Sequence, residues 1–121
     1  MTELRQNVCA DINTDNFLIT LNGFLFCVVS YSDVDAICFN DDKQFEKMGI
    51  DFYEQSRLEE EIDREFSEFC NKKGYIFDSK LAETRGGSPL TKPLSYMDAK
   101  EFAYIASKLV QHFIDWHKKE N

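Results

Sequence analysis

Between residues 16 and 39 the pattern of apolar positions has a period of about two, which predicts β-strands. The segment FLITLNGFLFCVVSY, residues 17–31, carries Asn22-Gly23 between two apolar runs. This dipeptide favours a type I′ turn, whose central residues both take positive φ, so we expect a tight hairpin. The two-residue loop predicts a register that creates one wholly apolar face, with three opposed pairs: Leu21 with Phe24, Ile19 with Phe26, and Phe17 with Val28.

The opposite face of this hairpin is predicted to be mixed. It carries an apolar strip made of Leu18, Leu25, Cys27, Val29 and Tyr31. This strip requires burial by a loop of the same chain, by a second copy in a homodimer, or by a partner. A second turn at Ser32 and Asp33 is expected to lead into a third strand over residues 34–39, which completes an antiparallel meander.

Beyond residue 50 the period changes to about 3.6, which predicts helices. One stripe recurs at spacings of four, four and three and predicts a helix over residues 52–72 that ends before Gly74: Leu58, Ile62, Phe66 and Phe69. A second helix begins with Ser95 as its cap and Asp98 reaching back to it. Its predicted apolar face consists of Phe102, Ile105, Ala106, Leu109, Val110, Phe113 and Trp116.

Three further segments complete the predicted fold. Residues 75–77 form a short fourth strand, residues 79–95 form a loop, and Leu4, Val8 and Ile12 have the spacing of a short helix. Strands followed by helices indicate a fold of the α+β class. We expect one compact domain over residues 1–121, an antiparallel three- to four-stranded meander with two main helices packed on one face.

Composition limits the chemistry that this domain can perform. The chain has 121 residues, 43% of them hydrophobic, which suffices for one core. The four cysteines (Cys9, Cys27, Cys38 and Cys70) form no CxxC pair and are expected to be reduced packing residues. His112 and His117 lie about 140° apart around a helix, so we predict no metal site and no cofactor. The chain contains neither a signal-peptide pattern nor a long apolar run, and we expect a cytoplasmic protein that does not bind membranes.

Negative charge is concentrated in one part of the chain. The formal net charge is −8, and residues 31–70 hold thirteen acidic and four basic residues, a net of −9. Such a field attracts basic partners and repels nucleic acid, so we expect no direct nucleic-acid ligand. The acids around the first long helix are open to two interpretations, a solvated face that keeps the protein soluble or a surface that binds a basic partner.

Candidate catalytic groups are sparse. The segment ETRGGSPLTK, residues 83–92, could hold a phosphate on its glycine amides, with Arg85 and Lys92 adding positive charge, but it lacks a P-loop frame and is interpreted as a surface loop. Asp33 and Asp35 are the nearest approach to a carboxylate pair and are interpreted as turn residues. A small enzyme with a site assembled around the 79–95 loop is one alternative, and a dimeric accessory or structural subunit is another.

The chain matches no family signature. In size, charge and fold class it resembles small acidic proteins that neutralise a macromolecule, such as the immunity proteins of nuclease toxins or phage inhibitors of defence enzymes. We therefore predict a non-enzymatic, acidic inhibitor that occupies the active or nucleic-acid-binding surface of a basic, nucleic-acid-processing protein. The predicted partner-binding residues are Tyr31, Asp33, Asp35, Asp41, Asp42, Tyr53, Glu54, Glu59, Glu60, Glu61, Asp63 and Glu65, with the two tyrosines as anchors.

Overall fold

The computed structural model describes residues 8–11, 15–21, 24–40, 44–47, 49–78, 80 and 89–120, and for 8–11, 44 and 117–120 it describes the backbone alone. The elements are β1 (Val8–Asp11), β2 (Asn16–Leu21), β3 (Phe24–Ser30), β4 (Ile37–Phe39), α1 (Gln44–Lys47), α2 (Phe52–Lys73) and α3 (Tyr96–Glu120). The four strands form one antiparallel sheet in chain order. The predicted α+β meander with two main helices is confirmed.

The hairpin of β2 and β3 contains a β-bulge that the predicted register lacks. Leu21 opposes Phe24 and Thr20 opposes Leu25, as predicted, but Ile19 then opposes Cys27 instead of Phe26. Phe26 is therefore an extra residue, and the bulge turns the rest of β3 over by one position. The predicted pairs Ile19 with Phe26 and Phe17 with Val28 are wrong, because Phe17 opposes Val29.

This reversal moves two residues from the predicted mixed face into the core. Cys27 and Val29 are fully buried, whereas Val28 becomes half-buried on the other face of the sheet beside Leu18. Leu18 and Leu25 remain on that outer face, as predicted, and both are half-buried. Cys38 opposes Val28 and is exposed, so the expectation that it packs inside is wrong.

The fourth strand lies elsewhere in the chain than the sequence pattern predicted. Val8–Asp11 pairs with β2, so Val8 belongs to a strand and not to a helix, while Leu4 and Ile12 lie outside the described residues. Residues 75–77 contribute an isolated bridge between Phe77 and Leu90 and do not join the sheet. The third strand is also shorter than predicted, because the Ser30 hydroxyl accepts the backbone N–H groups of Ser32 and Asp33 and holds residues 31–35 in bends.

Local capping determines both ends of α2. The Asp51 carboxylate accepts the Glu54 backbone N–H at 2.8 Å, and the Glu54 carboxylate accepts the Asp51 N–H at 3.4 Å, which is a capping box. Gly74 ends the helix with a left-handed φ of 84°. The predicted stripe of α2 is buried throughout, and Cys70 is buried with it: Leu58, Ile62, Phe66 and Phe69.

The start of α3 is capped through a tyrosine from the preceding connection. The Ser95 hydroxyl accepts the Asp98 N–H at 3.1 Å, as predicted, but the Asp98 carboxylate does not close the box on Ser95. Instead the Tyr75 hydroxyl accepts the Ser95 N–H at 3.0 Å and donates to Asp98 at 2.7 Å. Tyr75 is buried, and its hydroxyl joins the end of α2 to the start of α3, where Lys73 also pairs with Asp98 at 3.8 Å and with Glu101 at 3.2 Å.

Both helices lie on the same face of the sheet. Tyr96 at the start of α3 stacks near Phe17 of β2, with ring centroids 5.5 Å apart. Phe102 of α3 packs between Phe66 and Phe69 of α2, at centroid distances of 5.0 and 5.4 Å. The buried face of α3 is rotated from the predicted one, because Ile105, Leu109 and Phe113 are half-buried and its fully buried positions are Ala99, Phe102, Ala103, Ala106, Ser107 and Val110.

Candidate partner-binding surface

The acids of α2 fall into two groups around the helix. Burial raises the pKa of the Cys27 thiol, and the negative charges of Glu59 and Asp63 raise it further, so these two acids lie on the side of α2 that faces β3. Glu54, Glu60 and Glu61 line a cleft on the side that faces α3. Glu60, Glu61 and Asp63 are exposed, and Glu54, Glu59 and Glu65 are half-buried. The predicted acids of α2 thus remain in contact with solvent.

Asp63 combines an exposed side chain with a partly desolvated carboxyl group. The neighbouring protein atoms remove part of its hydration and raise the pKa of Asp63 above its ordinary value. Glu59 lies one helical turn before Asp63 on the same side of α2, and its carboxylate accepts a hydrogen bond from the Gln55 side chain at 3.0 Å. Ionised Asp63 is therefore held at a small cost to the fold.

Two large aromatic side chains project into solvent where α2 begins. Phe52 is 69% exposed and Tyr53 is 78% exposed, and their ring centroids lie 6.0 Å apart in an edge-to-face arrangement. The N-cap at Asp51 fixes their position, since it defines the first turn of the helix. Exposed aromatic residues next to acids are suited to a binding surface, because such residues dominate the energetics of protein interfaces.

The second predicted anchor, Tyr31, occupies a different environment. It is half-buried, and its ring packs against Phe17 at 5.7 Å and Tyr96 at 5.1 Å between centroids. This cluster joins β2, the β3–β4 connection and the start of α3. Most of the Tyr31 ring is therefore engaged within the protein, and Tyr53 offers far more surface to a partner.

The remaining predicted acids lie in or near the connection between β3 and β4. The Asp33 carboxylate accepts the Asp35 backbone N–H at 3.1 Å, which is the turn role expected from the sequence. Burial raises the pKa of Cys38, and the charges of Asp35 and Asp33 add to this increase, which places both acids near β4. Asp41 and Asp42 lie outside the described residues.

The cleft between the two helices was not predicted from the sequence. Its volume is about 360 Å³. From α2 it is lined by Glu54, Arg57, Leu58, Glu60, Glu61 and Arg64, and from α3 by Leu109, His112, Phe113 and Trp116. The helices are in contact through Phe102 at one end and separated by this cleft at the other. Tyr53 lies one helical turn before Arg57 and thus on the side of α2 that lines the cleft.

The cleft could not be predicted from the sequence, because the residues of its two walls lie about fifty positions apart in the chain. The sequence pattern places Trp116 and Phe113 on the predicted apolar face of the last helix, and His112 is considered there only with His117, as part of the prediction that there is no metal site. In the structure Trp116 is 45% exposed although it continues the predicted apolar stripe of the last helix.

The described part of the chain bears on the metal site and on the loop site that were considered from the sequence. In this part of the chain no three His, Cys, Asp or Glu side chains are arranged to hold a metal ion. Of the loop over residues 79–95, positions 79 and 81–88 lie outside the described residues, and Lys92 lies over the Tyr75 ring at 5.3 Å. Among the helices described, none has a segment both long and apolar enough to cross a bilayer.

No protein-family model, curated protein or solved structure matches this chain. Any functional assignment therefore depends on the surface itself.

Proposed function

We propose that this protein binds a basic, nucleic-acid-processing protein and neutralises it by covering its active or nucleic-acid-binding surface. The observation that carries this proposal is the exposed pair Phe52 and Tyr53 at the start of an acidic helix. Aromatic side chains are enriched at the centres of protein interfaces, and the acids beside these two rings favour a partner of positive charge.

Charge and aromatic contact have separate roles in this proposal. The net charge of −9 over residues 31–70 raises the rate of encounter with a positively charged surface. Once the partner is bound, Tyr53 and Phe52 bury their rings in the centre of the interface, where aromatic side chains contribute most. A protein that binds the phosphates of a nucleic acid presents basic groups to them, so an acidic protein surface can occupy the same nucleic-acid-binding site.

The test begins with capture of binding partners from lysate of the source cells on the tagged protein, with elution along a salt gradient. The double variant Glu60→Lys/Asp63→Lys is run in parallel. The control, Glu68→Lys/Asp115→Lys, makes the same change in net charge at two exposed acids outside the proposed surface.

The protein retained by the native chain and by the control, but lost from the Glu60/Asp63 variant, is then purified and assayed for nucleic-acid cleavage or modification. We expect stoichiometric inhibition of that activity by the native chain. A captured partner whose activity on nucleic acid is unaffected would contradict neutralisation, and equal retention by all three proteins would contradict the assignment of the surface.

A further inference from the structure

We infer that the cleft between α2 and α3 is the receptor site for one arginine side chain of the partner protein. This inference rests on the proposed function and adds the chemical group that is recognised. The cleft opens where the helices diverge, and the exposed Tyr53 lies one helical turn before Arg57 on the same side of α2, so a partner seated on the Tyr53 ring also faces the cleft.

The charges around the cleft favour a cation. Three carboxylates line it (Glu54, Glu60 and Glu61) against two guanidinium groups (Arg57 and Arg64). In the described part of the chain no ion pair joins Glu60 or Glu61 to either arginine, so both carboxylates can accept hydrogen bonds from a ligand. The field of residues 31–70 adds to this local excess of negative charge, and an anionic ligand would have to enter against it.

The shape and lining of the cleft favour guanidinium over other cations. Trp116 and Phe113 form one wall, with ring centroids 6.2 Å apart and ring planes inclined by 39°. A planar guanidinium can stack on such rings while its N–H groups reach carboxylates at its edge. Leu58 and Leu109 supply an apolar surface for the methylene groups of the same side chain.

The size of the cleft limits the ligand. A volume of about 360 Å³ lies at the lower end of small-ligand pockets and accommodates a single long side chain, not a second helix. Arg57 and Arg64 oppose a cationic ligand, and this opposition provides a test in which two neighbouring substitutions have effects of opposite sign.

The experiment uses the single tryptophan of the chain as its reporter. The full chain is titrated with N-acetyl-L-arginine amide while the fluorescence of Trp116 is followed, and N-acetyl-L-citrulline amide serves as the uncharged isostere. We expect saturable binding of the arginine probe with a Kd of the order of 1 mM, as befits a ligand of this size, and about tenfold weaker binding of the citrulline probe.

Substitutions distinguish a cation site from an anion site. Glu61→Gln should weaken binding of the arginine probe several-fold, whereas Arg57→Gln should strengthen it. Glu68→Gln, an exposed change outside the cleft, should leave it unaltered. All three positions are exposed on α2, so we expect each variant to retain the circular dichroism of the native chain.

Several results would overturn the inference: equal binding of both probes, no saturable change at Trp116, or stronger binding in the Glu61 variant than in the Arg57 variant. Much tighter binding of free L-arginine than of the capped probe would also overturn it, because the site would then recognise an amino acid and not a protein side chain. If the probe fails while a basic partner is still captured and inhibited, the proposed function stands and only the arginine assignment falls.

Discussion

At the scale of single residues, Gly74 shows how one backbone position ends a long helix. Its φ of 84° lies in the left-handed region, and a Cβ added there would meet no atom within 4 Å. The cost of Gly74→Ala is therefore conformational and not steric. We expect a loss of about 1 kcal/mol in the free energy of unfolding. Urea denaturation measures this loss, with Gly74→Asn as the comparison, since asparagine tolerates this conformation better. A neutral alanine variant would contradict the assignment of the cap.

Tyr75 couples the end of α2 to the start of α3 through two hydrogen bonds of its hydroxyl. Its hydroxyl accepts a hydrogen bond from the Ser95 N–H and donates one to Asp98, and Tyr75→Phe removes both while keeping the ring. We expect a loss of about 1–3 kcal/mol, because the Ser95 N–H loses its acceptor and the half-buried Asp98 carboxylate loses its donor. Thermal unfolding followed by circular dichroism measures it. Tyr53→Phe removes a hydroxyl from a ring that is 78% exposed and should change stability by less than about 0.5 kcal/mol. Equal losses in the two variants would contradict the coupling role.

Asp63 links stability to pH. Desolvation raises its pKa in the folded state above the unfolded value of about 4, so the folded protein binds the Asp63 proton more tightly. Its contribution to stability is fully present below the unfolded pKa and is lost as pH rises through the folded pKa. We therefore expect Asp63→Asn to be more stable than the native chain at neutral pH, with the difference disappearing at acidic pH. Urea denaturation across this range checks the sign, with Glu68→Gln correcting for the loss of one negative charge. A constant difference at every pH would contradict the desolvation.

At the scale of elements, the β-bulge can be tested by two neighbouring valines. Val29 is fully buried and Val28 is half-buried on the outer face, whereas an unbulged hairpin would bury Val28 and turn Val29 outwards. We expect Val29→Thr to cost about 1–2 kcal/mol more than Val28→Thr, since the hydroxyl is buried only in the first variant. Chemical denaturation of the pair decides the register, and the reverse order of losses would favour the straight hairpin.

The helices were the most predictable elements because their signals are local. The stripe from Leu58 to Phe69 and the stop at Gly74 lie within one continuous segment, and α2 ends one residue beyond the predicted boundary. The capping of α3 was predicted only in part. Ser95 was identified, but the contribution of Tyr75 comes from twenty residues upstream and leaves no periodic trace.

The sheet was less predictable because register is a property of two strands. Asn22-Gly23 set the first two pairs correctly, but Phe26 and Cys27 are both apolar, so the pattern could not show which one is the extra residue. Val8–Asp11 is short and acquires its strand character from pairing with β2. The cleft is equally hard to predict, because Trp116 of α3 lines it together with Arg57 and Glu61 of α2, and these residues are far apart in the sequence.

At the scale of the whole molecule, the charged side chains are separated from the apolar core. One cluster of buried apolar residues joins the sheet and both helices, and no salt bridge among the described residues lies within it. The exposed acids of α2 lie outside this cluster, and surface charge of this kind contributes little to stability. In the proposed function, the concentration of this charge over residues 31–70 serves association with a basic surface.

The most direct measurement is the salt dependence of the Kd between the native chain and its purified basic partner, compared with the Glu60→Lys/Asp63→Lys variant and the Glu68→Lys/Asp115→Lys control. If the acidic surface binds the partner, the native complex weakens steeply as salt rises, the Glu60/Asp63 variant binds more weakly with a shallower slope, and the control retains more of the native affinity. An unchanged Kd and an unchanged slope in the Glu60/Asp63 variant would contradict a role for this surface and leave α2 as a solvated face.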